Sequence, residues 1–284
     1  MRLSHNIASM NVYRSYAKAL DGRSGALDKI SSGNKINRAC DNPNGMAQSE
    51  KMRIQIRGMQ MAQRNMQDGI SMLQTAEGGL DGMTSMLQRM RELTVQAGNE
   101  TSTLEDKKTI QSEIDQMFQG IDNIADGTEF NGVKLLKINV GDTNTVLDMT
   151  TGANTDEKIQ INRFNLTSTG DLKLVDAVTG KSNIDVTTGA GVDNVLKVLD
   201  NAINTVISVR GEYGALENRF ESAVRGSGEI EEKLLAADGN LTETDIAEQM
   251  MEYAKNNILV EAGTAMMVQS NKFPQDILRI LDRR

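Results

Sequence analysis

From Met59 onward an apolar or small residue returns at alternating steps of three and four: Met59, Ala62, Met66, Gly69, Leu73, Ala76, Leu80, Met83, Leu87, Met90, Thr94 and Ala97. Only Gly69 and Thr94 interrupt the apolar series. Residues three and four apart lie one above another on a helix, so this spacing predicts a coiled-coil-type seam about 50 residues and roughly 75 to 80 Å long. A helix of that length needs an apolar partner along it. The same spacing returns at Val195, Leu199, Ala202, Val206, Val209, Tyr213, Leu216, Phe220, Ala223, Ser227, Ile230 and Leu234, with Ser227 the only polar member. A shorter seam at Ile110, Ile114, Met117, Ile121 and Ile124 follows the polar run TSTLEDKK, where Thr103 or Ser102 is placed to cap the helix. Three such seams close on one another as a bundle.

Residues 128 to 190 break this rhythm. Short alternating runs, VLDM, KIQIN and DLKLV, are separated by Gly, Asn, Asp and Thr clusters, the pattern of β-hairpins. The two ends, about 1 to 33 and 242 to 273, are again amphipathic, led by Leu3, Ile7 and Met10 at the first and by Ile246, Met250, Tyr253, Val260 and Met267 at the second. One short helix from each end buries little alone, so both ends are expected to order on docking.

Composition supports this picture and excludes others. Two prolines and few aromatic residues in 284 positions favour long uninterrupted helices. A net charge of −8, with no sustained Lys/Arg stripe, argues against a nucleic-acid partner. No apolar run reaches the roughly 18 residues of a membrane span, and the first residues lack the apolar core of a cleavable secretory signal. The single cysteine, Cys40, excludes an intramolecular disulfide and a cysteine-based zinc site, leaving only a reactive thiol to consider.

Chemistry is scarce. His5 is the only histidine, so an HExxH site cannot be written and a Ser/His/Asp triad would depend on the first turn of the chain. No GxxxxGK[ST] loop occurs, and TTGAGVDN fails the GxGxxG pattern at its third glycine. The carboxylate pair Glu231/Glu232 fits a solvated helix face. We therefore expect no enzyme, no cofactor and no catalytic or metal-binding residue. The stretch LQRMRELTVQAGN, residues 87 to 99, places Arg89, Arg91 and Glu92 off the seam, where spacing alone indicates an exposed, soluble helix face. The 17 methionines read as adaptable core filler.

Taken in order, these segments resemble the bacterial flagellins, subunits of the flagellar filament. LQRMRELTVQAGN is similar to the LQRxRELxVQxxN motif of that family. TEFNGVKLL, ISSGNKINRACDNPNGMAQSEKM, RNMQDGISMLQTAEGGL, YGALENRFESAV, AADGNLTETDIAEQM and NKFPQDILRIL resemble further family motifs in the same order. The likeness runs over about 1 to 138 and 192 to 281, and the short middle matches a form without the large variable outer domains. Two departures stand out: DNPNGMAQ in place of DDxAGLAI, with Pro43 and Cys40 at that turn, and a chain that continues as LDRR.

The resemblance implies a mainly α fold: a long antiparallel coiled-coil-like rod formed by N- and C-terminal segments, with a small central β-hairpin region. Residues 1–45 plus 240–284 would form a terminal helical domain with its connecting spoke. Residues 46–239 would form the rod domain, its β-hairpin region at about 128–190. Within these, 1–33 would pair with 242–284 as the inner tube, and 46–98, 103–127 and 192–236 would build the outer rod. Leu3, Ile7, Met10, Ile246, Met250, Val260 and Met267 would hold the polymer core.

It further implies a subunit exported unfolded by the flagellar type III apparatus without a cleaved signal, polymerising into the extracellular filament for motility. Its partners would be copies of itself, the cap and hook-filament junction proteins, and an export chaperone at the C-terminal segment, with no nucleic acid and no membrane. In flagellins sensed by the vertebrate Toll-like receptor for flagellin, the positions matching Gln88, Arg89, Leu93, Gln96 and Glu113 belong to the receptor face, and this chain keeps those residue types. The Ser/Thr-rich segment 142–190 would be a site of O-glycosylation. Two other readings stay open at this point: a hook-filament junction protein with similar terminal helices, and a coiled-coil adaptor of discrete oligomeric state.

Overall fold

The structure, a computed structural model, describes residues 6–99, 101–138, 145–175, 183–187 and 191–281. The expectations placed on Leu3, on His5, on parts of 142–190 and on residues 282–284 lie outside the described residues. The elements in chain order are α1 (Ile7–Ser32), α2 (Pro43–Ala97), α3 (Leu104–Gly127), β1 (Glu129–Phe130), β2 (Val133–Lys134), β3 (Val146–Thr150), β4 (Lys158–Asn162), α4 (Val192–Thr242) and α5 (Ile246–Leu281). The fold is mainly α with a small antiparallel strand region. The chain divides into two compact units, one of residues 56–231 and one of residues 1–55 with 232–284.

In the unit of residues 56–231, α2 and α4 run antiparallel, as their side-chain bonds record. Gln60 and Gln63 donate to Glu231, Gln74 donates to Glu217, Arg210 reaches Glu77 and Asp81, and Arg91 reaches Asp200, so rising numbers on α2 meet falling numbers on α4. The α2 seam is the core: Met66, Leu80, Met83, Leu87 and Met90 are fully buried, as are Leu199, Val206 and Phe220 opposite them. Burying each such side chain contributes about 1.5–3 kcal/mol. Gly69 belongs to the seam because its neighbours come too close for more: a Cβ there would lie 3.2 Å from Met149 Cε and 3.4 Å from Phe220 Cζ. Thr94, the seam's polar member, is buried with its hydroxyl donating to Met90 O at 2.8 Å, which satisfies the group inside the core.

Helix α3 starts with a capping box. The Thr103 hydroxyl accepts from Asp106 N at 3.2 Å, and the Asp106 carboxylate accepts from Thr103 N at 3.0 Å. Its buried face is Ile110, Ile114, Phe118, Ile121 and Ala125, whereas Met117 and Ile124 from the expected seam are half-buried at its flank. Helix α3 then turns into the β1–β2 hairpin, paired Glu129 with Lys134 and Phe130 with Val133. The two-residue turn has φ of 50° at Asn131 and 79° at Gly132, the positive values an Asn-Gly pair adopts most easily.

Strands β3 and β4 pair antiparallel from Val146 with Asn162 to Thr150 with Lys158, and Ile159 and Ile161 turn inward. The Tyr213 hydroxyl donates to Asn162 O at 3.0 Å, anchoring β4 to α4, and burial pushes its phenol well above the ordinary range. The third expected strand, DLKLV, is not one. Residues 171–174 follow turns and a bend and Val175 makes a single bridge, with Leu172 and Leu174 buried and Lys173 at a φ of 51°. Among the described residues their alternation satisfies burial without an extended strand.

The other unit contains α1 and α5, also antiparallel: Asn6 Nδ2 donates to Ser270 O at 2.9 Å and Arg23 Nη1 donates to Asn257 Oδ1 at 3.2 Å. Helix α1 ends at Gly33, and the chain crosses to the start of α5 through Lys35 N to Thr242 O and Thr244 N to Gly33 O. Pro43 is the first residue of α2, where its missing N–H costs nothing, and Asn42 Oδ1 caps the helix by accepting from Gly45 N at 3.0 Å. Ser49 donates to Asp238 at 2.5 Å and Arg53 pairs with it at 3.1 Å, which draws those turns of α2 and α4 into this unit. The division between the two compact units falls at 55/56 and 231/232. No helix of the described residues is long and apolar enough to cross a membrane.

Candidate assembly and recognition surfaces

Helices α1 and α5 pair through small residues and leave their large apolar side chains outside. Among the described side chains of the two helices only Ala19, Ala26 and Val260 are buried apolar residues. Ile7, Met10, Ile246 and Met250 are 66, 50, 46 and 52 % exposed, and Met267 is half-buried. Val260, at 8 %, sits inside the helix pair and does not join the outward face. On α5, Met251 at 68 %, Ile258 at 65 % and Val268 at 57 % are among the exposed residues that escaped the sequence reading. Their signal was the adjacency of Met250 with Met251, of Ile258, Leu259 and Val260, and of Met266, Met267 and Val268. Consecutive apolar residues point in directions about 100° apart, so α5 offers apolar surface on more than one side. A groove of about 380 Å³ between the helices is lined by Val12, Tyr16, Leu259, Ala262, Gly263 and Met266.

The second surface is polar. Gln88, Arg89 and Gln96 are exposed on α2 and Glu113 is exposed on α3. The Arg89 guanidinium donates to Glu113 at 3.2 Å and to Glu92 at 3.3 Å, and these bonds raise its already high pKa, Glu113 first. Arg89 thus ties α2 to α3 while half its side chain stays in solvent. Leu93 is only 2 % exposed and belongs to the core, so its assignment to the receptor face needs correction: it shapes the surface from beneath and presents none of it. The reason is its place two turns beyond Met86, on a second apolar row facing α3, which a single-seam reading leaves outside.

At the turn before α2, Asp41 accepts from Arg38 N at 2.9 Å and Asn37 N at 3.1 Å, which lowers its pKa, and the neighbouring Cys40 is exposed. Neither residue belongs to the two surfaces above.

A subunit with sealed antiparallel helices and an unsealed pair of terminal helices is the design of a helical structural polymer. The chain matches the bacterial flagellin N-terminal helical region over residues 3–140 and the C-terminal helical region over residues 196–281. It is 40 % identical over 281 residues to a flagellin of Halalkalibacterium halodurans, covering 99 % of this chain and 100 % of that protein. Its fold is similar to a crystal structure of Bacillus cereus flagellin, with a TM-score of 0.50 and 24 % identity over 58 % of this chain and 88 % of that one. It is also similar to a putative flagellar hook-associated protein of Vibrio parahaemolyticus, with a TM-score of 0.58 and 16 % identity over 72 % of this chain and 100 % of that one. The chain belongs to the flagellin family. It is a short-form structural subunit of the flagellar filament, an extracellular polymer built by self-assembly.

Proposed function

We propose that the subunit joins the filament tip by covering its terminal helices with those of neighbouring copies. One observation carries this reading: α1 and α5 bury little more than Ala19, Ala26 and Val260 and hold Ile7, Met10, Ile246, Met250, Met251 and Ile258 in water. Removing that surface from water is favourable at about 25 cal/mol per Å², and no chemical step is required of the subunit. Contacts that repeat without closing a ring generate a helical tube, the form a propeller needs.

In this reading residues 1–33 with 242–284 form the inner layer, and residues 46–98, 103–127 and 192–236 the outer one. The helix pair is held from within by Val260, and Ile7, Met10, Ile246, Met250 and Met267 meet other copies. The chain leaves the cell unfolded through the flagellar type III apparatus with its N-terminal signal uncleaved. An export chaperone guards the C-terminal segment, the cap receives the chain at the tip, and junction proteins link the finished filament to the hook. Seeded growth followed by electron microscopy tests the assembly reading. The intact chain elongates short filament seeds into long tubes, and a chain lacking residues 1–33 and 242–284 does not. Single particles that sit at seed ends without elongating them would favour a junction protein instead.

The monomer also serves as a ligand of the vertebrate Toll-like receptor for flagellin through Gln88, Arg89, Gln96 and Glu113. What favours this second role is a half-exposed arginine bridging two helices beside two exposed carboxamides. Such a face gives a partner directed hydrogen bonds on a rigid base.

A further inference from the structure

We propose that the terminal helices carry an oxidation switch for assembly, consisting of Met10 on α1 and Met250, Met251 and Met266 on α5. The proposal rests on the reading that these helices are the assembly face.

The distribution of methionine exposure carries the argument. Met10, Met250, Met251 and Met266 are 50, 52, 68 and 54 % exposed, whereas Met66, Met83 and Met90 on the α2 seam are at 0 %. A thioether meets a dissolved oxidant only where its sulfur reaches solvent, so the same residue type is open on one set of helices and shielded on another. Met61, 53 % exposed on α2, is open too but lies off α1 and α5.

The oxidant is hydrogen peroxide. A sulfur lone pair attacks one peroxide oxygen, the O–O bond breaks, and proton transfer releases the other oxygen as water. Sulfur is oxidised by two electrons and peroxide is reduced by two. The product is a sulfoxide, a polar and chiral group on a side chain that had been flexible and apolar. Packed against apolar side chains of another copy, its oxygen loses water without gaining a donor, a cost equivalent to about a tenfold or larger loss of binding for each poorly placed group. Oxidised monomers stay out of the filament, and polymerised chains, whose sulfurs are covered, resist the oxidant. Because sulfoxides are reversible by the two methionine sulfoxide reductases, the block is reversible as well.

The test uses the full chain with Cys40→Ser, which removes the competing exposed thiol. Monomer is treated briefly with hydrogen peroxide, sulfoxides are located by peptide mass spectrometry, and elongation of seeds is timed. Sulfoxide is expected at Met10, Met250, Met251, Met266 and Met61 before Met66, Met83 or Met90, with elongation slowed about tenfold or more and the helical circular-dichroism signal kept. Treating the oxidised chain with both methionine sulfoxide reductases is expected to return elongation to its starting rate. A second chain adding Met10→Leu, Met250→Leu, Met251→Leu and Met266→Leu, whatever its own untreated rate, elongates equally fast before and after the same peroxide treatment although Met61 is oxidised. Equal loss in that chain, absence of rescue by the reductases, or first oxidation at Met66, Met83 and Met90 would overturn the switch alone. If the untreated Cys40→Ser chain never elongates seeds, the assembly reading falls and takes the switch with it.

Discussion

Methionine on the α2 seam and methionine on the terminal helices behave oppositely. Met83, in the unit of residues 56–231, has no exposed surface, and Met251, in the unit of the terminal helices, is 68 % exposed. Leucine and isoleucine on the buried faces follow the same contrast, with Leu87 and Ile114 sealed and Ile7 and Ile258 on the terminal helices open. Residue type therefore does not decide burial here; the number of helices available to cover each stripe does. The α2 seam meets α4, α3 and the β3–β4 hairpin inside one chain, so its stability is intrinsic. Helices α1 and α5 have chiefly each other, and in the proposed assembly the rest of their burial comes from other copies, which would make it dependent on concentration and on an accepting end.

Val260→Asp breaks the comparison most severely. It sets a carboxylate where Val260 is buried between α1 and α5. Seeded elongation is expected to stop while the melting transition of the other unit persists. Normal filaments from this variant would mean that the α1–α5 pair is not part of the assembly core. Next comes a matched pair of truncations measured by urea denaturation of monomer. Leu87→Ala removes a fully buried side chain and is expected to cost about 2–5 kcal/mol. Ile258→Ala, at 65 % exposure, should cost under about 0.5 kcal/mol yet slow elongation. Equal losses of monomer stability would erase the distinction between the two units.

Much of the sealed unit was legible in the residues because a seam between two long helices is a one-dimensional pattern. From Ala62 to Ala97 every seam position on α2 is buried. On α4 the pattern held to Phe220, then loosened, with Ile230 49 % exposed, since spacing records only which residues share a stripe and not where cover ends. Phe118 was missed and Met117 overvalued because α3 packs against two neighbours, which rotates the buried face away from a single seam. Leu93 is buried on a second apolar row of α2, which a single seam does not record. The Ser49, Arg53 and Asp238 cluster was not legible at all, since its members stand 185 and 189 positions apart and are joined only by the antiparallel register of α2 and α4. The resemblance to flagellins supplied what spacing did not, the expectation that the exposed ends meet other copies.

A smaller effect tests the polar face on the sealed unit. Arg89→Ala removes the guanidinium that joins Glu92 and Glu113 and leaves the core beneath, Leu93 included, untouched. Receptor signalling by monomer should weaken, with the melting temperature of the unit nearly unchanged, because half-exposed ion pairs add little to folding. Unchanged signalling would reject this face as the receptor site. A large fall in melting temperature would instead make Arg89 a structural brace between α2 and α3.

The smallest expected effect concerns how the β1–β2 hairpin is held to α3. Asp126 lies in the last turn of α3, where the carbonyl end of the helix disfavours a negative charge. Lys134 Nζ at 2.6 Å and Lys137 Nζ at 2.8 Å offset that by donating to its carboxylate, Lys134 foremost, and lower its pKa from the ordinary 3.8 to about 2. The folded chain therefore binds this proton less readily than the unfolded chain does. Stability from the cluster is fully present above the unfolded value and is lost as pH falls through about 2. Comparing the chain with its Asp126→Asn variant isolates the contribution. The difference in stability should be level from neutral pH down to about 4, then shrink toward pH 2, and be reduced by added salt because the side chain is half exposed. A difference that stays level through that window would show that Lys134 and Lys137 do not hold Asp126 in solution, and that the hairpin depends instead on the burial of Leu135 and Leu136 beside it.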